Sequence, residues 1–175
     1  MAETKPSVKR GPMVLTLAMA AALAASFATH EDTAYVPYRD KSGGVLTVCG
    51  GITGPDVVEG KTYSFAECRT LQDRFIARFN GALQRCVRVP VSAYEHFAFL
   101  HFAWNIGHQA FCKSTLVRLL NQSDYTGACA QMSRWVFDNG KDCRIKSNRC
   151  RGIVLRRVME RAMCDGNLAI PGVFH

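Results

Sequence analysis

Apolar positions along this chain change their spacing several times, and each change marks a new element. From Gly11 to Thr29 there is no charged residue, and Met13, Val14, Leu15, Leu17, Met19, Leu23 and Phe27 are interleaved with alanines. Such a run predicts a helix, and about nineteen residues can just cross a bilayer. An aromatic and β-branched stretch, Tyr35-Val36-Pro37-Tyr38, follows, then Gly43-Gly44 and Val45-Leu46-Thr47-Val48. Those residues predict a hairpin that reverses at the paired glycines. Gly50 to Gly60 reads as glycine-rich loop and irregular strand, closed by the Glu59-Gly60-Lys61 turn.

Beyond residue 60 the period becomes helical. Ser64-x-x-Glu67 is a capping box, and Leu71, Phe75, Phe79 and Leu83 recur at four-residue steps as one buried stripe. Pro90 resets the chain and Ser92-x-x-Glu95 opens a second box. The run Phe97, Ala98, Phe99, Leu100, Phe102, Ala103, Trp104 is apolar on all sides, which predicts a central, wholly packed helix with His96 and His101 on its margins. Asn105-Ile106-Gly107 ends that helix with glycine where a left-handed cap is expected. Ser114 opens a short helix to Leu120, and Asp124 caps another with Cys129, Met132 and Trp135 inward. Asp138-Asn139-Gly140 is a turn. Ser147 to Cys164 holds the last helix, buried through Ile153, Val154, Val158 and Met163, with Arg156-Arg157-x-x-Glu160 pairing within the fold. Ile170 to His175 carries no readable signal.

Composition narrows the partners. At 175 residues the chain is one domain with one core. Twenty-two Lys and Arg against fourteen Asp and Glu give +8, which favours an anionic partner: nucleic acid, a membrane surface or an acidic cell wall. The basic residues are scattered and no nucleic-acid motif occurs, so nucleic acid is set aside. Eight cysteines, with no Cys-x-x-Cys and no Cys/His cluster of zinc spacing, speak against a metal. Their even number points to disulfides and an oxidising compartment such as the periplasm. No cofactor is expected.

Candidate chemistry sits at Glu31 and Asp40, which bracket the aromatic run. Glu31 follows the apolar helix and Asp40 lies near the tip of the hairpin, so the two can be folded toward one groove. Paired carboxylates suit glycosidic cleavage, one protonated to donate and one ionised to act on water. On spacing alone a plainer reading weighs more: Glu31 caps a helix end and Asp40 serves a turn.

The wording around them adds a family. Glu31-x8-Asp40, a threonine shortly after, and Gly51-Ile52-Thr53-Gly54 resemble phage-type lysozymes, the endolysins with a Glu, Asp, Thr triad. The resemblance continues through Gly60-Lys61-Thr62-Tyr63, Ala66-Glu67-Cys68, Asn105-Ile106-Gly107, Ser114-Thr115-Leu116, Arg134-Trp135 and Gly152-Ile153-Val154 to Arg156-Arg157-x-x-Glu160. It implies an α+β, mostly helical lysozyme-like fold, with a small N-terminal β-hairpin lobe and a helical lobe around the central helix. It implies hydrolysis of the β-1,4 bond between N-acetylmuramic acid and N-acetylglucosamine in peptidoglycan, with inversion, by a monomer. Glu31 would be the general acid, Asp40 would direct the water and Thr47 would assist. Asn105 would touch the sugar cleft, although capping explains it equally well, and Arg157 could approach that cleft. One departure stands out: Asp40 and Thr47 are separated by six residues where the family has five. A longer turn at Ser42-Gly43-Gly44 would absorb it, and Thr53 is the alternative hydroxyl. Position suggests Cys143–Cys150 and Cys129–Cys164, while elimination and family likeness suggest Cys86–Cys112 and Cys49–Cys68. Connectivity does not follow from sequence alone.

The same resemblance extends to signal-arrest-release endolysins, exported on a tether and later freed. Residues 1–10, with Lys5, Lys9 and Arg10, then read as a disordered basic tail on the cytoplasmic side. Residues 11–29 would be a transient inner-membrane segment and 30–175 the catalytic domain, tethered first and then periplasmic. Small residues around Ala25-Ser26-Phe27-Ala28 also fit a cleaved signal peptide. Cleavage there would leave Glu31 beside a ragged end, which a general acid does not tolerate. Two other readings are a lytic transglycosylase, which commonly works with a single glutamate, and a tethered, disulfide-rich binding module. The Glu31, Asp40, Thr47 arrangement argues against both.

Overall fold

The structure, a computed structural model, describes residues 9–30, 34–40 and 44–169, the side chains of 27–30 excepted. Glu31, Lys5 with the rest of residues 1–8, Ser42-Gly43 and the tail from 170 lie outside the described residues. In chain order the elements are α1 (Leu17–His30), β1 (Tyr38–Arg39), β2 (Leu46–Val48), β3 (Ile52–Thr53), α2 (Phe65–Cys86), α3 (Ala93–Ile106), α4 (His108–Lys113), α5 (Thr115–Leu120), α6 (Tyr125–Gln131), β4 (Phe137–Asp138), β5 (Lys141–Asp142) and α7 (Arg151–Cys164). The strands β1-β2-β3 form one antiparallel sheet and β4-β5 a separate hairpin. This is the α+β, mostly helical arrangement expected from the sequence.

Local chemistry accounts for most boundaries. Both capping boxes form: Ser64 accepts from the Glu67 amide at 3.2 Å, and Ser92 from the Glu95 amide at 3.1 Å, with each glutamate returning to its cap. Gly107 ends α3 at φ 85°, a backbone angle natural to glycine. Asn139 and Gly140, both at positive φ, make the two-residue turn of the β4-β5 hairpin.

α3 is the axis of the larger lobe. Phe97, Ala98, Phe99, Leu100, Phe102 and Ala103 are all buried, and α2, α4, α7 and α1 pack around them. No margin is left for its histidines. His96 and His101 are both 2% exposed, a correction to their expected place at the helix edge. Each is satisfied instead by a polar partner: His96 Nε2 lies 2.6 Å from Asn80 Oδ1 on α2, and His101 Nδ1 lies 2.7 Å from Glu160 Oε1 on α7. That second bond turns α7. Its buried stripe is Arg157, Glu160, Met163 and Cys164, whereas Val158, expected inside, is 62% exposed and Ile153 and Val154 are half-buried.

Three disulfides join elements apart in sequence, Cys49–Cys68, Cys86–Cys112 and Cys129–Cys164, and Cys143–Cys150 closes a local loop. They leave no free cysteine. The first ties the end of β2 to the first turn of α2, and the second ties the other end of α2 to α4. Each limits the unfolded chain by an amount typically of about 2–4 kcal/mol.

The charge-free N-terminal run is not one helix. Gly11 pairs with Val91 in an antiparallel bridge, and the helix starts only at Leu17. α1 packs on the domain through Met19, Leu23 and Ala24. Among the described residues no helix is long and apolar enough to cross a membrane. Nor does the expected disorder reach residue 10, because Arg10 is ion-paired with Glu95.

Burial holds the His96 imidazole down to about 4, since its charged form would lose water without gaining an acid. The native state therefore binds fewer protons than the unfolded chain between about pH 6.5 and 4. Stability should be complete above that window and fall as the pH is lowered through it, by on the order of 3 kcal/mol. Urea titrations at pH 7 and pH 4.5 should show this component in the parent and lose it in His96→Gln. Equal pH slopes for the two proteins would refute it.

Candidate active site

Strand register decides what the small sheet presents. Tyr38 pairs with Thr47 and Arg39 with Leu46, while Thr47 pairs with Thr53 and Val48 with Ile52. Side chains alternate faces along a strand, and directly paired residues share a face. Tyr38, Thr47 and Thr53 therefore form one row, and Asp40, two residues beyond Tyr38, lies on the same face. All four line a single cleft of about 910 Å³. Val48 and Ile52 point the other way and are buried in the core. A slip of one residue would send Thr47 into the core and Val48 into the cleft.

Ser42 and Gly43 of the turn expected to absorb the longer spacing lie outside the described residues, and the backbone is described on either side of them. The Asp40 amide donates to Val45 O at 3.0 Å, and Gly44, at φ 65°, returns its amide to Asp40 O at 2.7 Å. Asp40 thus stands at the mouth of the turn. Thr47 and Thr53 both face the cleft. Thr47 is nearly buried and its Oγ1 donates to Val45 O at 3.0 Å.

The opposite wall comes from the larger lobe. Phe75 and Phe79 of α2 stack at 4.7 Å, and Trp104 of α3 meets Phe75 edge-on at 4.9 Å. Trp135, expected to face inward, is only half-buried: its ring packs edge-on against Phe102 at 5.7 Å and lines the cleft. Phe137 and Asp138 of β4 complete this side. Phe75 and Phe79 belong to the buried stripe that the four-residue period predicts, and Asp138 opens the expected turn, yet all three also line the cleft. A four-residue apolar period marks a covered face without telling core from cleft wall, so nothing in it could have singled these residues out.

Asn105 lines the cleft, but its Oδ1 accepts from Arg157 Nη2 at 2.9 Å. Arg157 in turn donates through Nη2 to Glu160 Oε1 at 3.0 Å, and its Nε lies 2.7 Å from Glu160 Oε2. The guanidinium also sits 4.7 Å from the Phe102 ring centre. Burial weakens its hold on the proton relative to an ordinary arginine, with Arg156 adding repulsion and Glu160 opposing both. The chain His101–Glu160–Arg157–Asn105 thus runs from the centre of the domain to the cleft floor. Glu31 lies outside the described residues; in sequence it follows His30 of α1 and stands three residues before Ala34, which lines the cleft. Ala34 and Tyr35 are held by backbone bonds from Cys49 and Tyr63. Among the described residues no group of three or more His, Cys, Asp or Glu could hold a metal ion.

A small sheet and a helical lobe facing each other across an acid- and aromatic-lined cleft define a glycosidase of the lysozyme class. The phage lysozyme family model matches residues 28–160, and the chain belongs to that family. Among its relatives, the SAR-endolysin of Escherichia phage Mu is 46% identical over 133 residues, covering 76% of this chain and 72% of the relative. The SAR-endolysin of Enterobacteria phage P21 is 37% identical over 134 residues, covering 77% and 76%. The endolysin from the Escherichia coli O157:H7 phage FAHEc1 shares the fold at TM-score 0.70 and 23% identity, over 91% of this chain and 98% of the other. The active form of the P1 phage endolysin Lyz does so at TM-score 0.68 and 18% identity, over 89% and 87%.

The buried network makes a stability prediction. Glu160→Gln leaves the Arg157 guanidinium buried without its counter-charge, which should cost about 3–5 kcal/mol. Urea unfolding should show that loss, and a change below about 1 kcal/mol would mean that Arg157 finds another anion.

Proposed function

We propose that this cleft cleaves the β-1,4 bond between N-acetylmuramic acid and N-acetylglucosamine by direct attack of water, with Glu31, Asp40 and Thr47 as the working groups. The protein is a phage endolysin that degrades peptidoglycan, and the finer assignment rests on one observation: strand register puts Asp40 and Thr47 on a single cleft-facing row. Because the Thr47 hydroxyl proton is committed to Val45 O, its oxygen offers lone pairs to the cleft. A water lying between it and Asp40 can donate one hydrogen to each and point its own lone pair at the anomeric carbon. Asp40 takes the water's proton as the bond forms. Glu31, the residue that follows α1 in sequence, donates its proton to the departing glycosidic oxygen. Attack from the face opposite the leaving group inverts the anomeric centre. The aromatic wall of Phe75, Phe79 and Trp104 offers apolar faces to sugar rings, and +8 of net charge suits the polymer's acidic peptides.

Membrane association and release belong to the same proposal. Residues 11–29 first hold the exported chain at the inner membrane, with the basic flank in the cytoplasm, and later leave it for the periplasm. Alanine suits both states: it is among the best helix formers and gains little from lipid. The freed enzyme acts as a monomer.

Glu31→Gln should lower wall clearing by at least about a hundredfold with folding intact, since the amide cannot donate the proton. Asp40→Asn should be nearly as severe, whereas Thr47→Ala, which removes one hydrogen bond to the water, should cost on the order of 1–2 kcal/mol in kcat/KM. Asp138→Asn is the control carboxylate and should retain most of the rate. Residual activity of Glu31→Gln above a few per cent, or a greater loss at Asp138 than at Asp40, would overturn the assignment. A reducing sugar end on the product distinguishes hydrolysis from formation of a 1,6-anhydro end.

A further inference from the structure

Arg10 stands immediately before the charge-free run, and its contacts exceed what a solvent-exposed cation needs. Its Nη2 lies 2.7 Å from Glu95 Oε1, and its Nε bridges both carboxylate oxygens at 3.1 Å. The guanidinium carbon stacks 3.7 Å from the centre of the Tyr125 ring. That ring is fixed by its own hydroxyl, which donates to Pro90 O at 2.9 Å. Next in the chain, Gly11 exchanges two backbone bonds of 2.9 Å with Val91, and Gln84 Nε2 donates to Met13 O at 2.7 Å. Side chains from α2, α3 and α6, and the backbone of the link before α3, therefore converge on residues 10–13. Glu95 is the centre of the set: its side chain is 4% exposed, and Oε2 also accepts the Ser92 amide that begins α3.

We propose that Glu95, Tyr125 and the Val91 edge form a docking site for the chain's own N-terminal arm, with Arg10 as its ligand, and that this latch favours the released enzyme over the tethered one. The proposal rests on the release reading given above. While residues 11–29 cross a bilayer, about 30 Å of hydrocarbon separates Arg10 from the domain. No latch contact can then exist, and Glu95 lacks its cation. In the docked state the arm is not helical, with the Val14 amide turned back onto Pro12 O, and only the 14 residues of α1 are helical, a length of about 21 Å that cannot span the core. Docking and spanning are mutually exclusive conformations of one segment. A contact made in only one of two states shifts the equilibrium toward that state. The same cation therefore serves both ends of the process: it holds the N-terminus on the cytoplasmic side first, and has a carboxylate and an aromatic face waiting once it has crossed.

Two variants test this without altering the membrane segment. Arg10→Lys keeps the cytoplasmic charge and loses the planar fork. Glu95→Gln keeps the capping box, which accepts glutamine at that position, and removes the counter-charge. With full-length chains in cells, the membrane potential is collapsed and the soluble fraction followed with time. Each variant should leave the membrane at least threefold more slowly than the parent, and the double variant no more slowly than the worse single one. Released Glu95→Gln should match the parent's specific activity on cell walls. Release of Arg10→Lys and Glu95→Gln at the parental rate overturns the latch, and so do additive effects, which would make Glu95 a support for α3 alone. If Glu95→Gln does not fold, Tyr125→Leu replaces it with the same expectation. A parent chain that stays in the membrane defeats the release reading and the latch with it, whereas a parent that leaves beside unaffected variants defeats the latch only.

Discussion

α3 is closed to solvent from Glu95 to Ala103, and the polar side chains in that stretch must take their partners from neighbouring elements. Each of its buried polar side chains binds a different part of the molecule. Glu95 takes the N-terminal arm, His96 takes Asn80 of α2, and His101 takes Glu160 of α7. At the half-buried end, Asn105 takes Arg157. Apolar packing of the phenylalanines would tolerate several rotations of the surrounding helices, because the hydrophobic effect has no direction. Hydrogen bonds of 2.6–2.9 Å do not. The polar minority on an apolar helix therefore sets the register of its neighbours.

The cleft inherits that register. Trp104, Asn105, Ile106 and Gly107 at the end of α3 form part of its wall, and Arg157 of α7 meets them there. The sheet on the other side is held by a different device, the Cys49–Cys68 bond together with the bond from Gln72 Nε2 to Cys49 O at 3.0 Å. Buried charge sets the register of the helical lobe and a disulfide anchors the sheet to it, with α2 as the bar between them. The proposed attack by a water fixed between two oxygens depends on both.

The N-terminal segment is held to the domain in two ways. Among its described side chains Met13, Met19, Leu23 and Ala24 are buried, while Leu17 is almost fully exposed. The arm that precedes α1 adds directional bonds from Arg10 to Met13. In the proposed latch the bias comes from those polar contacts, which form only when the domain is there to supply the partner.

Local signals were legible in the sequence because their physics is local. A serine three residues before a glutamate caps a helix whatever packs on it, and paired glycines turn a chain wherever it goes. Both capping boxes, the hairpin and the fully packed α3 could therefore be read directly. Likeness to a family carried the fold and the candidate acids further than spacing alone could. The partners of His96 and His101, the outward turn of Val158, the docking of Arg10 and the cleft-facing role of Phe75, Phe79 and Trp135 were decided only in three dimensions. Each depends on a contact between residues far apart in the chain. Apolar periodicity shows that a face is covered, and only the packed structure shows whether a core, a cleft or a buried charge lies against it.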